Sequence, residues 1–414
     1  MHMLSSVIKT KIPASPRSPT TPVAQSASLS VIAARTRSVE IGTGREGSVG
    51  ATMNVPLFDP TTAIEPLRAQ IDAALLEVSA AGQFILGPNV EAFEQEFAEL
   101  VGAAEAIGVA NGTEAITIAL RALGVGPGDE VIVPSFSYYS SAEAIPPTGA
   151  VPVFCDIDPL TYVSTAEQVK AVITPRTKAV VAVHLFGNIA PVAEIEALGL
   201  PVVEDCAQSA GSVGPDGRPG ALGSIASHSF YPSKNLGAFG DGGAITTSDK
   251  ELAERVRMLR FHGSRDRVSY EEVGFNSRLD EIQAAVLRVM LPQLSQWAEH
   301  RAAAGQRYGE LGLGELVTLP QATAAATPAW HLYVVATDNP DQLAEQLGAS
   351  GVEARGYYRS PIHEQPSMRA WRPQKSTLPG TNQAARRHLA IPISATISDQ
   401  QIEQVVDATR AALG

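Results

Sequence analysis

From Asn54 onward, short runs of Val, Ile and Ala alternate with segments of helical spacing, and this alternation constrains the fold more than any other feature. AEAIGVA, DEVIVPS, VPVFCDI, KAVVAVHLFG and PVVEDCA each have the length of one buried strand. Between and before them, helical spacing runs through Ile64, Leu67, Ile71 and Leu75, through Val90, Phe93, Phe97 and Leu100, and through NGTEAITIALRALGV. Strands that are apolar on every residue have both faces covered, so the pattern predicts an α/β fold with a mostly parallel sheet flanked by helices. No internal repeat interrupts it.

After a glycine-rich stretch, DKELAERVRMLRFHG reads as a helix, and a long helix from Leu279 to about residue 311 is expected to bend near Pro292. Beyond it, the strands WHLYVVAT and GVEARGYY and the helices DQLAEQLGAS and DQQIEQVVDATRAAL predict a smaller α+β domain. The expected division is 53–295 for the large domain and 296–414 for the small one.

Residues 1–52 differ. They are rich in Ser, Thr, Ala and Pro, and six Lys or Arg against two Glu give them +4, leaving −16 on the rest of a chain of net charge −12. Such composition buries too little apolar surface to order itself. It reads as a disordered tail or as sequence ahead of a start at Met53, with an Arg- and Ser-rich transit peptide as the alternative. It lacks the apolar core of a secretory signal. No apolar run reaches the roughly 20 residues that span a membrane. The acidic balance argues against a nucleic-acid partner. Two cysteines, Cys155 and Cys206, make neither a disulfide framework nor a metal site, and a cytoplasmic location is expected.

Three places could carry chemistry. NGTEA follows a strand and opens a helix, so the N–H groups at Gly112 and Thr113 offer an anion site at the positive end of the helix dipole; the plain alternative is a cap by Asn111 or Thr113. Asp205 ends the strand PVVED at the edge where ligands collect in open α/β sheets. There it either holds a protonated ring nitrogen or caps the next turn, with Gln208 three residues on. Lys234 stands in SFYPSKNLGAFGDGGAITT beside Ser229 and Ser233. It is either a solvated loop charge or a nucleophile whose proton is displaced by desolvation. Together the three supply what pyridoxal 5′-phosphate requires: an amine for a Schiff base, a carboxylate for the pyridine nitrogen and a phosphate cradle.

In order along the chain, NGTEAITIALRALGVGPGDEVIVPSFSY, VVEDCAQSAGS, SFYPSKNLGAFGDGGAITT, GFNSRLDEIQAA and SPIHEQP resemble the pyridoxal-phosphate-dependent sugar aminotransferases of the DegT/DnrJ/StrS group, within fold type I. The likeness runs from about Asn54 to the C-terminus. It implies that Lys234 forms the Schiff base and moves the proton, and that Asp205 pairs with the pyridine nitrogen. It implies further that Gln208 contacts the ring hydroxyl, that Gly112, Thr113 and Ser229 bind the phosphate, and that Tyr138 stacks on the ring. Asn276 would reach the phosphate of the neighbouring subunit's cofactor, which implies a homodimer with shared sites; its plain role is a helix cap before LDEIQ. No metal is implied. Phe136 and Tyr139 stand where the family has small residues, and the basic N-terminal segment has no counterpart in it.

The resemblance implies transfer of an amino group from an amino acid, glutamate, to a nucleotide-linked keto-sugar. FNSRLDEIQAA looks most like enzymes acting on dTDP-3-keto-6-deoxyhexoses. The alternatives are a 4-keto-sugar, a cyclitol or aminobenzoate chemistry, and, from another class, a non-catalytic regulatory protein on the same fold. One branch of the family carries histidine at the lysine position and dehydrates; Lys234 argues against that branch.

Overall fold

The computed structural model describes residues 54–373 and 377–414, so the expectations for residues 1–52 lie outside the described residues. Seven strands form the main sheet: β1 (Glu105–Val109), β2 (Glu130–Pro134), β3 (Val151–Cys155), β4 (Thr177–Val183), β5 (Val202–Asp205), β6 (Ile225–Ser229) and β7 (Gly243–Thr247). Their spatial order is β1-β7-β6-β5-β4-β2-β3. β7 runs antiparallel to both of its neighbours, and the other pairings are parallel.

Alternate residues of β4 enter different cores, which is why that strand is apolar from Ala179 to Val183. In β4, Val181 and Val183 pack with the helix Gly112–Ala122 on one face, whereas Val180 and Ala182 join Val169 and Ile195 on the other. At the β1 side, Ala106 and Ala244 meet Phe93 and Phe97 of the helix Pro88–Val101 and Leu287 of the helix Glu281–Met290. At roughly 25 cal/mol per Å² of apolar area, these two-sided contacts are the main source of stability.

The long helix breaks where proline was expected to bend it. Glu281–Met290 passes through a 3-10 turn at Leu291–Gln293 into Leu294–Glu310. Pro292 cannot donate to an i−4 carbonyl, so the ladder is interrupted there.

A second core follows. β8 (Tyr333–Ala336) and β9 (His388–Ile391) pair antiparallel under the helices Leu294–Glu310, Pro340–Ala349 and Asp399–Leu413. Two features differ from expectation here. GVEARGYY is not a strand: it makes single bridges, Val352 to Val55 and Arg355 to Ala390. β9 and the helix Pro379–Arg387 were not anticipated, because HLAI is too short to declare a period. Val55 lies in this second core and not against the main sheet.

Candidate active site

All parallel strands present their carboxyl ends to one edge of the sheet, where a cleft of ≈ 770 Å³ opens. Val183 ends β4, Asp205 ends β5 and Ser229 ends β6, and all three line it. Asn111, just past β1, caps the helix Gly112–Ala122 by accepting from the Glu114 N–H at 2.9 Å; Thr113 is not the cap and instead donates to Ser140 Oγ at 2.8 Å. Among the described residues no acceptor meets the N–H groups of Gly112 and Thr113, which leaves the helix end open to an anion. Gly112 is required there: a Cβ would lie 2.7 Å from Cβ of Ser229.

The lysine loop spans the gap between β6 and β7. Phe230 N–H donates to Gly242 O and Ala238 N–H to Phe230 O, each at 2.8 Å, so the loop is tied at its base. A Cβ on Gly237 would come within 2.5 Å of Pro232 O, so the turn closes only around glycine. Asn235 Nδ2 donates to Ala210 O and Ala329 O, fixing the residue next to Lys234. Lys234 itself is half-buried on the cleft wall. Crowding by protein atoms lowers its ammonium from 10.5 to about 8, against the opposing pull of the Asp205 carboxylate.

Asp205 is buried; its Oδ2 accepts from Ser141 Oγ at 2.7 Å and its Oδ1 from Ala207 N–H at 3.2 Å. Gln208 lines the same cleft with its amide engaged, accepting from Phe186 N–H at 2.8 Å and donating to Tyr358 Oη at 3.0 Å. Tyr138 is 57% exposed on the cleft wall, 6.2 Å from the Tyr358 ring. The two departures from the family pattern turn elsewhere: Phe136 is buried against Tyr162 and Phe186, and Tyr139 Oη bonds Ser367 Oγ.

Gly112, Thr113, Tyr138, Asp205, Gln208, Ser229 and Lys234 therefore meet in one cleft. Asn276 does not. It is exposed, its Oδ1 accepts from Arg278, and its backbone bridges Phe261. Nor is it the cap before LDEIQ: Asp280 is, accepting from the Gln283 N–H at 2.9 Å.

Spacing carried no signal for several other lining groups. His331 is buried with Nδ1 unpartnered among the described residues, and burial with the nearby Lys234 and Arg301 charges holds it well below 6.5, so it is neutral. Arg355, Tyr357 and Tyr358, from the stretch after Val352, also line the cleft, and the two tyrosines pack against the main core. That segment is fastened to the main sheet where Ile362 N–H donates to Ser135 O and His363 Nδ1 meets Ser135 Oγ at 2.5 Å. This gives SPIHEQP a positional part beside the site.

His184, Glu204 and Cys206 also cluster, yet as a structural knot. Glu204 accepts from His184 Nε2 at 2.9 Å and from the N–H groups of Gly220, Leu222 and Gly223, which occupies both carboxylate oxygens. Burial raises its carboxyl, and these donors outweigh the burial and hold it below the usual range.

Residues 66–410 match the sequence profile of the DegT/DnrJ/EryC1/StrS aminotransferase family. The chain belongs to that family. It is an aminotransferase by descent and by fold. A Streptomyces venezuelae dTDP-3-amino-3,4,6-trideoxy-alpha-D-glucose transaminase is 44% identical over 375 residues, covering 87% of this chain and 96% of the relative. The crystal structure of S. venezuelae DesV in complex with a ketimine intermediate superposes at TM-score 0.84 with 43% identity, over 87% of this chain and 98% of that one. The structure of NtdA from Bacillus subtilis with bound cofactor PMP superposes at TM-score 0.81 with 28% identity, over 89% of this chain and 87% of that one. The fold is that of the fold type I aminotransferases. No helix among the described residues is long and apolar enough to cross a membrane.

Proposed function

We propose that this protein uses pyridoxal 5′-phosphate to move an amino group from glutamate to a dTDP-linked 3-keto-6-deoxyhexose. The observation that carries the reading is the meeting of Lys234, Asp205 and the open helix end at Gly112 in one cleft. The residues present fit the cofactor: unclaimed N–H groups suit a phosphate, a buried carboxylate suits a pyridinium, and a lysine poised near pH 8 suits a carbonyl. The relatives' names support the sugar.

When bound, pyridoxal phosphate supplies the carbonyl that Lys234 tethers and the electron-withdrawing ring that stabilises a carbanion. Lys234 Nζ, desolvated and with a substantial neutral fraction near pH 8, would take the proton from the donor's α-carbon and pass it to the cofactor, and would run the same transfer in reverse in the amination half. Asp205 holds the ring-nitrogen proton by a charge-assisted bond. Gly112, Thr113 and Ser229 hold the phosphate. Tyr138 would stack on the ring, and Gln208, braced by Phe186 and Tyr358, would contact its hydroxyl.

The enzyme works as a cytoplasmic homodimer in which Asn276 serves the partner's cofactor; its exposure outside this chain's own cleft supports that role. The chain divides into a large lobe to about residue 295 and a small lobe beyond, the latter holding the second core. Incubation of the loaded protein with glutamate and a panel of dTDP-keto-sugars, read by mass, is the test. A 3-amino product is expected; turnover of 4-keto but not 3-keto sugars would reject the sugar assignment.

A further inference from the structure

Asp205 does not meet the cleft as a lone carboxylate. Behind it, Ser141 Oγ donates to Oδ2 at 2.7 Å, and Ser137 Oγ lies 2.8 Å from Ser141 Oγ. All three side chains are buried. The carboxylate can only accept, so the single hydroxyl proton of Ser141 is committed to it. Ser141 can then only accept from Ser137, and the order of donation is fixed as Ser137 to Ser141 to Asp205. The adjacent Ser140 belongs to a separate line, which runs from Thr113 Oγ1 through Ser140 Oγ to Glu143 Oε1. The short helix Ser140–Glu143 thus sends two neighbouring hydroxyls to two different carboxylates.

We infer that Ser141 and Ser137 are positioning residues that keep Asp205 charged and oriented, so that the proton it serves stays on the ring nitrogen of the bound cofactor. The inference rests on the pyridoxal reading. A donor chain ending on an ion polarises each bond in turn and favours the ionised acceptor. Without it, Asp205 is a stronger base and draws the ring proton to itself, so the ring loses positive charge. A positively charged ring disfavours protonation of the nearby Schiff-base nitrogen of Lys234, and loss of that charge has the opposite effect. The site then gives up part of its electron-withdrawing power while its binding contacts remain.

The test is an absorbance titration of the loaded protein, which reads the Lys234-linked chromophore without any turnover. Ser141→Ala is expected to move its midpoint upward by about half a pH unit or more. Ser137→Ala should move it by less in the same direction, and Ser141→Thr, which keeps the hydroxyl, should restore the wild-type value. Ser140→Ala removes the same atom from the line that ends on Glu143 and should leave the midpoint in place. Under saturating substrates Ser141→Ala should lower kcat several-fold with KM little changed. An unmoved midpoint in both Ser141→Ala and Ser137→Ala, beside a normally titrating wild type, overturns the inference alone. Equal shifts in Ser141→Ala and Ser141→Thr would reduce Ser141 to a packing residue. If Ser141→Ala does not fold, Ser137→Ala decides by itself. A wild-type protein that takes up no pyridoxal phosphate removes the cofactor reading and this inference together.

Discussion

Gly112 and Ser229 touch across the carboxyl edge of the sheet, so closely that a Cβ on the glycine would stand 2.7 Å from Cβ of the serine. The contact brings the open end of the helix Gly112–Ala122 against the last residue of β6, making one cradle from two distant parts of the chain.

Gly112→Ala is therefore expected to push the helix end away from β6. Stability should fall by about 1–3 kcal/mol, the usual cost of overpacking, and pyridoxal-phosphate affinity by at least about tenfold. Ser229→Gly in the same chain removes the nearest atom and should recover the stability but not all of the affinity. Urea unfolding and calorimetric titration of the cofactor measure the two separately.

The Lys234 amine should titrate near pH 8 in the cofactor-free protein, against 10.5 for an ordinary lysine. Its reaction with an amine-directed reagent should rise through that midpoint. Asp205 opposes the burial shift, so Asp205→Asn should move the midpoint lower still. The unfolded chain binds the proton more tightly, so this group makes the fold more stable as pH rises from about 8 towards 10.5. A midpoint unchanged in Asp205→Asn would show that the two groups do not sense one another.

Glu204→Gln should destabilise without touching the cleft. In either orientation the glutamine amide would set N–H groups against N–H donors, those of Leu222 and Gly223 in one and those of His184 and Gly220 in the other. Loss of one partner from a buried ionic knot costs about 3 kcal/mol. Because the Glu204 carboxyl is held low in the folded state, its contribution is present above the ordinary carboxylate range and fades as the solution is acidified through its depressed value. Thermal melts of wild type and variant should converge at low pH.

Shared sites predict complementation. Lys234→Ala and Asn276→Ala should each be inactive, yet mixed and re-associated they should recover about a quarter of wild-type activity, since half the dimers are hybrids with one intact site each. No recovery despite subunit exchange would confine Asn276 to its own chain.

Five strands of the sheet were legible because they leave unbroken apolar runs, and the Gly112 and Asp205 motifs because each follows such a run at its carboxyl end; β6 and β7 were not, because IASHS and GAITT are broken by Ser, His and Thr. His331, Tyr357 and Tyr358 were not legible. They come from the stretches beside β8 and after Val352, where a strand of four residues and single bridges leave no period to read. The direction of Tyr139 was hidden for a different reason: its partner Ser367 lies 228 residues away. Asn276 resembled a cap in sequence, but the cap is Asp280, whose carboxylate directly precedes the first helical turn.

Val55 bridges Val352 and buries its side chain among Leu347, Leu389 and Val405. On a ribosome this segment emerges among the earliest of the described residues, yet its seat exists only once nearly the whole chain has been made. The seven-stranded sheet has all its strands by Thr247, so it can assemble while Val55 is still unattached. A segment made early thus becomes a late fastener, and a nascent chain halted before Val352 would leave it open to a chaperone or a protease.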